Sequence, residues 1–274
     1  MSTMTKTVPL AGSAAPGAAR KPRRRRPSRL PAWEALALWG ALLLAWQIAS
    51  QFIDQTTNPL LPAPASVAAA LAESLPELWA GTVSSVLILL PGYGLAVAAG
   101  VALGLLAGVV PSLGRAFFPF AKVVGPVPPT VYIPYAIAVL PTFHLSAAFV
   151  VFIGAFWPIF QNAAAGAQAV EGRHRDNARV LGFSRLETLV KVIFPASLPH
   201  IFSGMAVGLA FSFILLTVAE LFGANAGLGR FVQYYADFAD YPRMVAGILY
   251  TGVVTWLAMS GLDALRRRAL FWLR

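Results

Sequence analysis

Residues 171–200 read EGRHRDNARVLGFSRLETLVKVIFPASLPH, a mixed polar and apolar segment set between two long apolar runs. Its apolar positions fall at helical spacing in two short groups. Ala178, Leu181 and Phe183 form one; Leu186, Leu189, Val190 and Ile193 form the other. Gly182 stands between them and permits a backbone turn that other residues resist. Pro195 and Pro199 are expected to end the second stretch before the next run begins. Two short helices joined at Gly182 make a compact knob with one apolar face and basic flanks, suited to a groove on a partner protein. A solvated interfacial loop is the plainer alternative.

Outward from this knob the chain is greasy. Leu145–Val170 precedes it and Ile201–Phe222 follows, while Trp33–Phe52, Thr82–Val110, Val123–Leu140 and Met244–Leu265 complete six apolar runs. Each approaches or exceeds the roughly 20 residues needed to cross a hydrocarbon core. The composition agrees: 58% of the 274 residues are hydrophobic and 12% charged, about half the charge of a typical soluble domain. A disordered chain is excluded, and a water-soluble globule would lack polar surface to cover itself.

The net charge of +10 does not mark a nucleic-acid binder, because the basic residues cluster at the ends of apolar runs. With the N-terminus inside, 19 of the 21 Lys and Arg fall on the inner side; only Arg230 and Arg243 lie outside. Such a split predicts six transmembrane helices with both termini cytoplasmic. A cleaved signal peptide at Trp33–Phe52 would instead leave five spans, but no small-x-small cleavage site precedes Asp54. There is no cysteine, so disulfides, thiolate metal sites and Cys nucleophiles are excluded.

Residues 1–29 carry an Arg run and no apolar periodicity, and are expected to be a disordered basic arm; 30–274 form the membrane domain. The arm reads as a topology signal or as a contact for anionic lipid headgroups. Ser66–Leu78 predicts a short amphipathic helix at the outer interface, and a short turn with Arg115 and Lys122 is expected after Val110. Pro126, Pro128, Pro129 and Pro134 should break the third run or delay its start. Irregular backbone at membrane depth survives only inside protein or beside a watery cavity. Residues 126–134 are therefore either a pathway lining or a simple kink. Gly100, Gly104 and Gly108 share one helix face and suit close helix packing, within the chain or across a dimer.

The knob also carries a resemblance. Asp176-Asn177-Ala178, three residues, Gly182, nine residues, Val192-Ile193 and Phe194-Pro195 repeat the spacing of the EAA loop of binding-protein-dependent ABC import permeases. That loop has Glu-Ala-Ala at its start and Leu-Pro at its end, so Asp, Asn and Phe are departures here. Leu61-Pro62-Ala63-Pro64, Pro158, Glu220 with Gly227-Leu228-Gly229, and Gly261-Leu262-Asp263 are similar to the nitrate/sulfonate/taurine branch. The resemblance covers about Trp33 to the end. It implies an all-α membrane protein with six transmembrane helices, like a type I ABC importer permease. It implies an ABC ATPase subunit that docks on Asp176, Asn177, Ala178, Gly182, Val192, Phe194 and Pro195. It further implies an extracytoplasmic solute-binding protein, pairing of permeases around a central pathway, and an inner-membrane location. Pro141-Thr142-Phe143-His144 and Val86-Leu87 depart from the branch and leave the solute open: nitrate, a sulfonate, taurine or a related small compound.

Energy must be supplied by another chain, since no Gly-x4-Gly-Lys-Ser/Thr phosphate loop is present. ATP and Mg are accordingly expected on the partner ATPase, with no cofactor or metal on this chain and no enzymatic activity of its own. His144, His174 and His200 lack the i, i+4 pairing of a metal helix. His144 is an interfacial histidine or a contact for an anionic solute. Glu220, at the outer end of the fifth run, is either a pathway gate or a hydrogen-bond acceptor for residues 223–229. Asp263 precedes Arg266 and Arg267 at ion-pair spacing. The competing reading, a stand-alone secondary transporter or channel, predicts an inverted repeat and mid-span ionisable residues; the sequence has neither.

Overall fold

The computed structural model describes residues 32–52 and 60–273; the basic arm expected at 1–29 lies outside them. The chain divides into two compact units, Met1–Ala45 and Trp46–Arg274. Helix α1 (Ala32–Phe52) is all that is described of the first unit and contributes its last turns to the second. Among the described residues the structure is helical, with no strand.

Helix α2 (Pro64–Val109) has 46 residues, which at 1.5 Å per residue is about 69 Å, more than twice a hydrocarbon core of roughly 30 Å. The amphipathic segment expected at 66–78 and the second apolar run are thus one continuous helix. Pro64 starts it at a position where its missing N–H costs nothing. Leu78, fully buried, packs against Leu228 and Phe231 and carries the helix across the joint.

The turn expected around Arg115 and Lys122 is instead a helix, α3 (Pro111–Val124). Gly114, Phe117, Phe118 and Ala121 lie at i, i+3, i+4 and i+7 on its inner face, and both Phe rings contact Phe160. In the sequence Pro111 reads as a break that leaves the stripe in a short turn; at a helix start it is favourable. Beyond it the proline-rich run is broken as expected. A 3-10 turn at Pro129–Val131 leads into α4 (Tyr132–Val139), only eight residues long.

Thr142 caps α5 (Phe143–Ala169), accepting a hydrogen bond from the Leu145 amide at 3.3 Å. Then follow α6 (Gly172–Val180), α7 (Arg185–Thr188), a π-helical turn at Leu189–Ile193 and α8 (Phe194–Gly223). The stretch Arg185–Gly223 is a single rod of 39 residues, so Pro195 and Pro199 do not end a helix. A proline ring clashes with the carbonyl four residues back, and the wider π turn just before Pro195 relieves that clash. Helices α9 (Leu228–Asp237) and α10 (Tyr241–Ala269) and a 3-10 turn at Phe271–Leu273 complete the chain.

Among the described residues four helices are long and apolar enough to cross a bilayer: α2, α5, the rod ending in α8, and α10. Leu36–Phe52 and Pro129–Val139 are shorter apolar stretches. Helices α2, α5 and α8 build the core. Gly104 lets α2 approach α5 so closely that a methyl group there would lie 2.5 Å from the Phe160 carbonyl. Gly100 and Gly108 lie against Ile159, Ala164 and Ala167 of the same helix, so the glycine face is used within the chain.

Candidate functional site

The elbow between α6 and α7 is fixed by local chemistry. Gly182 adopts φ +77°, the left-handed region that favours glycine. Its amide donates to Arg179 O and the Phe183 amide to Ala178 O, both at 3.0 Å. This is the Schellman arrangement that closes a helix C-terminus. Ser184 then caps α7, accepting from the Glu187 amide at 3.2 Å while Glu187 accepts from the Ser184 amide at 3.0 Å. Lys191 pairs with Glu187 at 2.9 Å and lies 5.2 Å over the Phe183 ring.

Two layers of the elbow serve different ends. Ala178 and Ile193 turn inward and are buried, anchoring α6 and the π turn on the core. Val180, Leu181 and Leu186 turn outward at 87%, 71% and 69% exposure. Three neighbouring aliphatic side chains that exposed make an apolar surface patch. Asp176 and Asn177 are exposed, with Asp176 paired to Arg179 at 3.3 Å; Val192 and Pro195 are half-buried and Phe194 exposed. Arg175 ties the elbow to the membrane core: its Nη2 donates to Ala167 O, in the last turn of α5, at 2.6 Å. A cation on those terminal carbonyls is favourable.

At the opposite end of the core, Glu220 is fully buried. Its Oε1 accepts from Ser85 Oγ at 2.5 Å and its Oε2 from the Gly229 amide at 2.7 Å. The Leu228 amide donates to Ser85 Oγ at 3.0 Å. The carboxylate thereby fastens the start of α9 to α2 and α8. Gly227, at φ +140°, leaves room for it; a methyl group there would lie 2.5 Å from the carboxylate. Of the two roles open to Glu220, the hydrogen bond to residues 223–229 is present.

Beyond Glu220, the N-terminal turns of α2 meet α9 and the start of α10. Arg243 pairs with Asp240 at 2.7 Å and Glu73 at 3.0 Å, and Tyr235 donates to Glu77 at 3.0 Å. Burial, then the Glu77 carboxylate, raise the Tyr235 phenol above its ordinary value, so it remains a donor. His144 is exposed at this end, edge-on to Phe143.

The candidate pathway residues are not brought to one place. Pro126 borders a cavity of about 650 Å³ near the elbow end with Lys122, Gln161 and Gln168. Pro128 accepts from the Val131 amide, and Pro129 lies beneath Gly154. His144 and Glu220 sit at the far end. The sequence reading missed Ser85 and Arg175, whose partners are distant or lie in the preceding helix. It also missed the Ser184-x-x-Glu187 capping box, which a search for that pattern would have found. Among the described residues no group of three His, Asp or Glu could hold a metal.

A bundle of long apolar helices with an apolar-faced elbow defines a multi-pass membrane protein. The chain belongs to the family of binding-protein-dependent transport system inner membrane components, which it matches over residues 100–270. It is 35% identical over 177 residues to the nitrate import permease protein NrtB of Leptolyngbya laminosa, covering 64% of this chain and 63% of that protein. The match thus spans less than two thirds of that relative's length. It is 31% identical over 195 residues to the taurine transport system permease protein TauC of Escherichia coli K12, covering 71% of each. The fold is similar to a crystal structure of an amino acid ABC transporter with histidines. There the TM-score is 0.57 at 17% identity, covering 72% of this chain and 96% of that one.

Proposed function

We propose that this chain is the membrane-spanning subunit of an ATP-driven importer, working as a pair of permeases of type I architecture. In this reading α1 and Pro129–Val139 join the four long helices to give six spans, with both termini and the elbow cytoplasmic. The 19-to-2 division of Lys and Arg supports that orientation. A separate ATPase subunit binds ATP and Mg and docks on the elbow. An extracytoplasmic binding protein delivers a small solute, such as nitrate, a sulfonate or taurine, to the α9 end.

The observation that carries this reading is the elbow: its turn is fixed by Gly182, its face is apolar and exposed, and it is continuous with α8. A rod whose base is pushed moves as a body. Nucleotide-driven closure of the ATPase would tilt α8, and through Arg175 the end of α5, exposing the pathway to each side in turn. Pro126, Pro128 and Pro129 would line it at the break before α4. His144 would meet the solute at entry, and Glu220 would act through its hold on α9. The test is reconstitution with the ATPase and binding protein in proteoliposomes, measuring ATP-dependent uptake of labelled nitrate and taurine. Uptake of either that stops without the ATPase supports the proposal. Uptake that proceeds without ATP or ATPase overturns it in favour of a stand-alone transporter or channel.

A further inference from the structure

The rod Arg185–Gly223 widens at one place, the π turn Leu189–Ile193. The Phe194 amide donates to Leu189 O, five residues back, where an α-helix would use Val190 O. This turn therefore holds one residue more than an α turn, immediately before Phe194-Pro195. A proline ring by itself does not call for that, since Pro199 lies inside α8 with no π turn. The place of the extra residue has a further cause, which the pattern of burial supplies.

Ile193, Ser197 and Ile201 are buried, and Gly204 and Gly208 continue their line against α5. Followed back from Ile193 in α geometry, seven residues make two turns less about 20°. Leu186 would then stand on the same inward line, yet it is 69% exposed. One extra residue turns everything before it by about 100°. That carries Leu186 off the line facing α5 to the outer side, where Val180 and Leu181 are exposed. Val190, inside the turn, is exposed at 54%. Leu189 and Ile193 both keep their contact with the cluster of Leu105, Ala163 and Ala167. The turn changes the phase of the rod without freeing it from the core.

Pro195 bars the alternative. In an α register its ring would press on Lys191 O, which would also lose its amide donor. Without the ring that register is open, and it turns Leu186 inward, a change that burial favours. Gly182 lets the two halves of the elbow respond separately, because it has open space around it. Ala178 and Arg175 meanwhile hold α6 to the core.

We infer that Pro195 is a positioning residue: by keeping the extra residue in the π turn, it fixes the rotation of α7 that presents Leu186 and Val190 to the ATPase. The identity of the docking partner rests on the function proposed above; the rotation does not.

The test compares Pro195→Ala, deletion of Lys191, and the two combined, on the full chain in detergent. Pro195→Ala removes the ring and leaves the extra residue. The deletion removes the extra residue and leaves the ring in an α register; the Lys191–Glu187 pair lost with it is exposed and contributes little. The combination gives a regular α-helix with Leu186 back in its outward phase. Rotation is read as the rate of maleimide labelling of Leu186→Cys, with Leu181→Cys as reference; the chain has no other cysteine. Docking is read separately, in chains that keep both leucines, as binding of the purified ATPase subunit used for uptake.

Pro195→Ala should slow labelling of Leu186→Cys several-fold and spare Leu181→Cys. It should weaken ATPase binding about tenfold or more, the loss of one aliphatic side chain from the interface. Deletion of Lys191 alone should also weaken binding, and the combined variant should regain both the labelling rate and the affinity. General damage to the fold would make the combination worse than either change, not better. Unchanged labelling in Pro195→Ala, or a combined variant no better than the single ones, overturns the role of Pro195. Should a single variant not fold, the combined one decides: a wild-type labelling rate supports the phase role, and slow labelling or failure to fold overturns it. Labelling that follows the expected pattern while the ATPase binds every variant alike would remove docking on the elbow and keep the rotation.

Discussion

Glu220 binds three parts of the chain with one carboxylate. Ser85 belongs to α2, Gly229 to α9 and Glu220 to α8, and each hydrogen bond is shielded from water. Replacing Glu220 with Ala leaves the Gly229 amide and Ser85 without an acceptor, at about 1–3 kcal/mol for each buried unpaired group. A lower unfolding midpoint in detergent and faster proteolysis at residues 223–229 are expected. Glu220→Gln should lose less, because its carbonyl can still accept from Gly229 while its amide donates to Ser85. Equal losses in the two variants would show that bulk, not hydrogen bonding, matters here. An acid at the end of an apolar run was visible in the sequence, and so was its choice of partners among residues 223–229. Ser85 was not, since it lies 135 residues away and helical periodicity carries no information about which faces meet.

Among the elements, the elbow makes the sharpest demand on its residues. Nothing lies within 4 Å of a methyl group built on Gly182, so a substitution there acts through the backbone alone. An L-residue in this conformation costs roughly 1–2 kcal/mol, and a β-branched one more, all spent on the turn and none on the core. Gly182→Val is therefore expected to leave insertion intact and to lower the unfolding midpoint by only a few degrees, while abolishing permease-stimulated ATP hydrolysis. Gly182→Ala should fall between. If transport and stimulation both survive Gly182→Val, the elbow does not couple. Arg175→Ala probes the next link: without its bond to Ala167 O, the ATPase should still bind but stimulation should fall about tenfold or more, the loss of one charged hydrogen bond. Loss of ATPase binding itself would place Arg175 in the docking face instead. The turn at Gly182 was legible because a lone glycine between two apolar groups has few uses. The helix through Pro195 was not: the π turn that accommodates it is a property of hydrogen-bond register, which residue type alone does not reveal. Nor was α3, whose apolar stripe exists only by reference to Phe160.

For the whole molecule, alternation of apolar runs and the skewed placement of Lys and Arg made the membrane reading plain, because both follow from the cost of burying charge in hydrocarbon. Helix length did not follow. Nothing in that cost stops a helix at the membrane surface, and α2 and the rod Arg185–Gly223 both continue well past about 30 Å of hydrocarbon. Their protruding ends carry the two functional regions, the platform of α9 with Glu73 and Glu77 at one end and the elbow at the other. In the proposed architecture the two face opposite sides of the bilayer. The chain has no cysteine, so a single introduced thiol reports alone. Arg173→Cys on the elbow and Phe238→Cys beside α9 are both highly exposed positions. In intact spheroplasts a membrane-impermeant maleimide should label Phe238→Cys and spare Arg173→Cys until the cells are lysed. Inverted vesicles should give the opposite pattern. Labelling of both from one side would mean that the long helices do not cross, and with that the paired-end architecture and the direction of import would fall together.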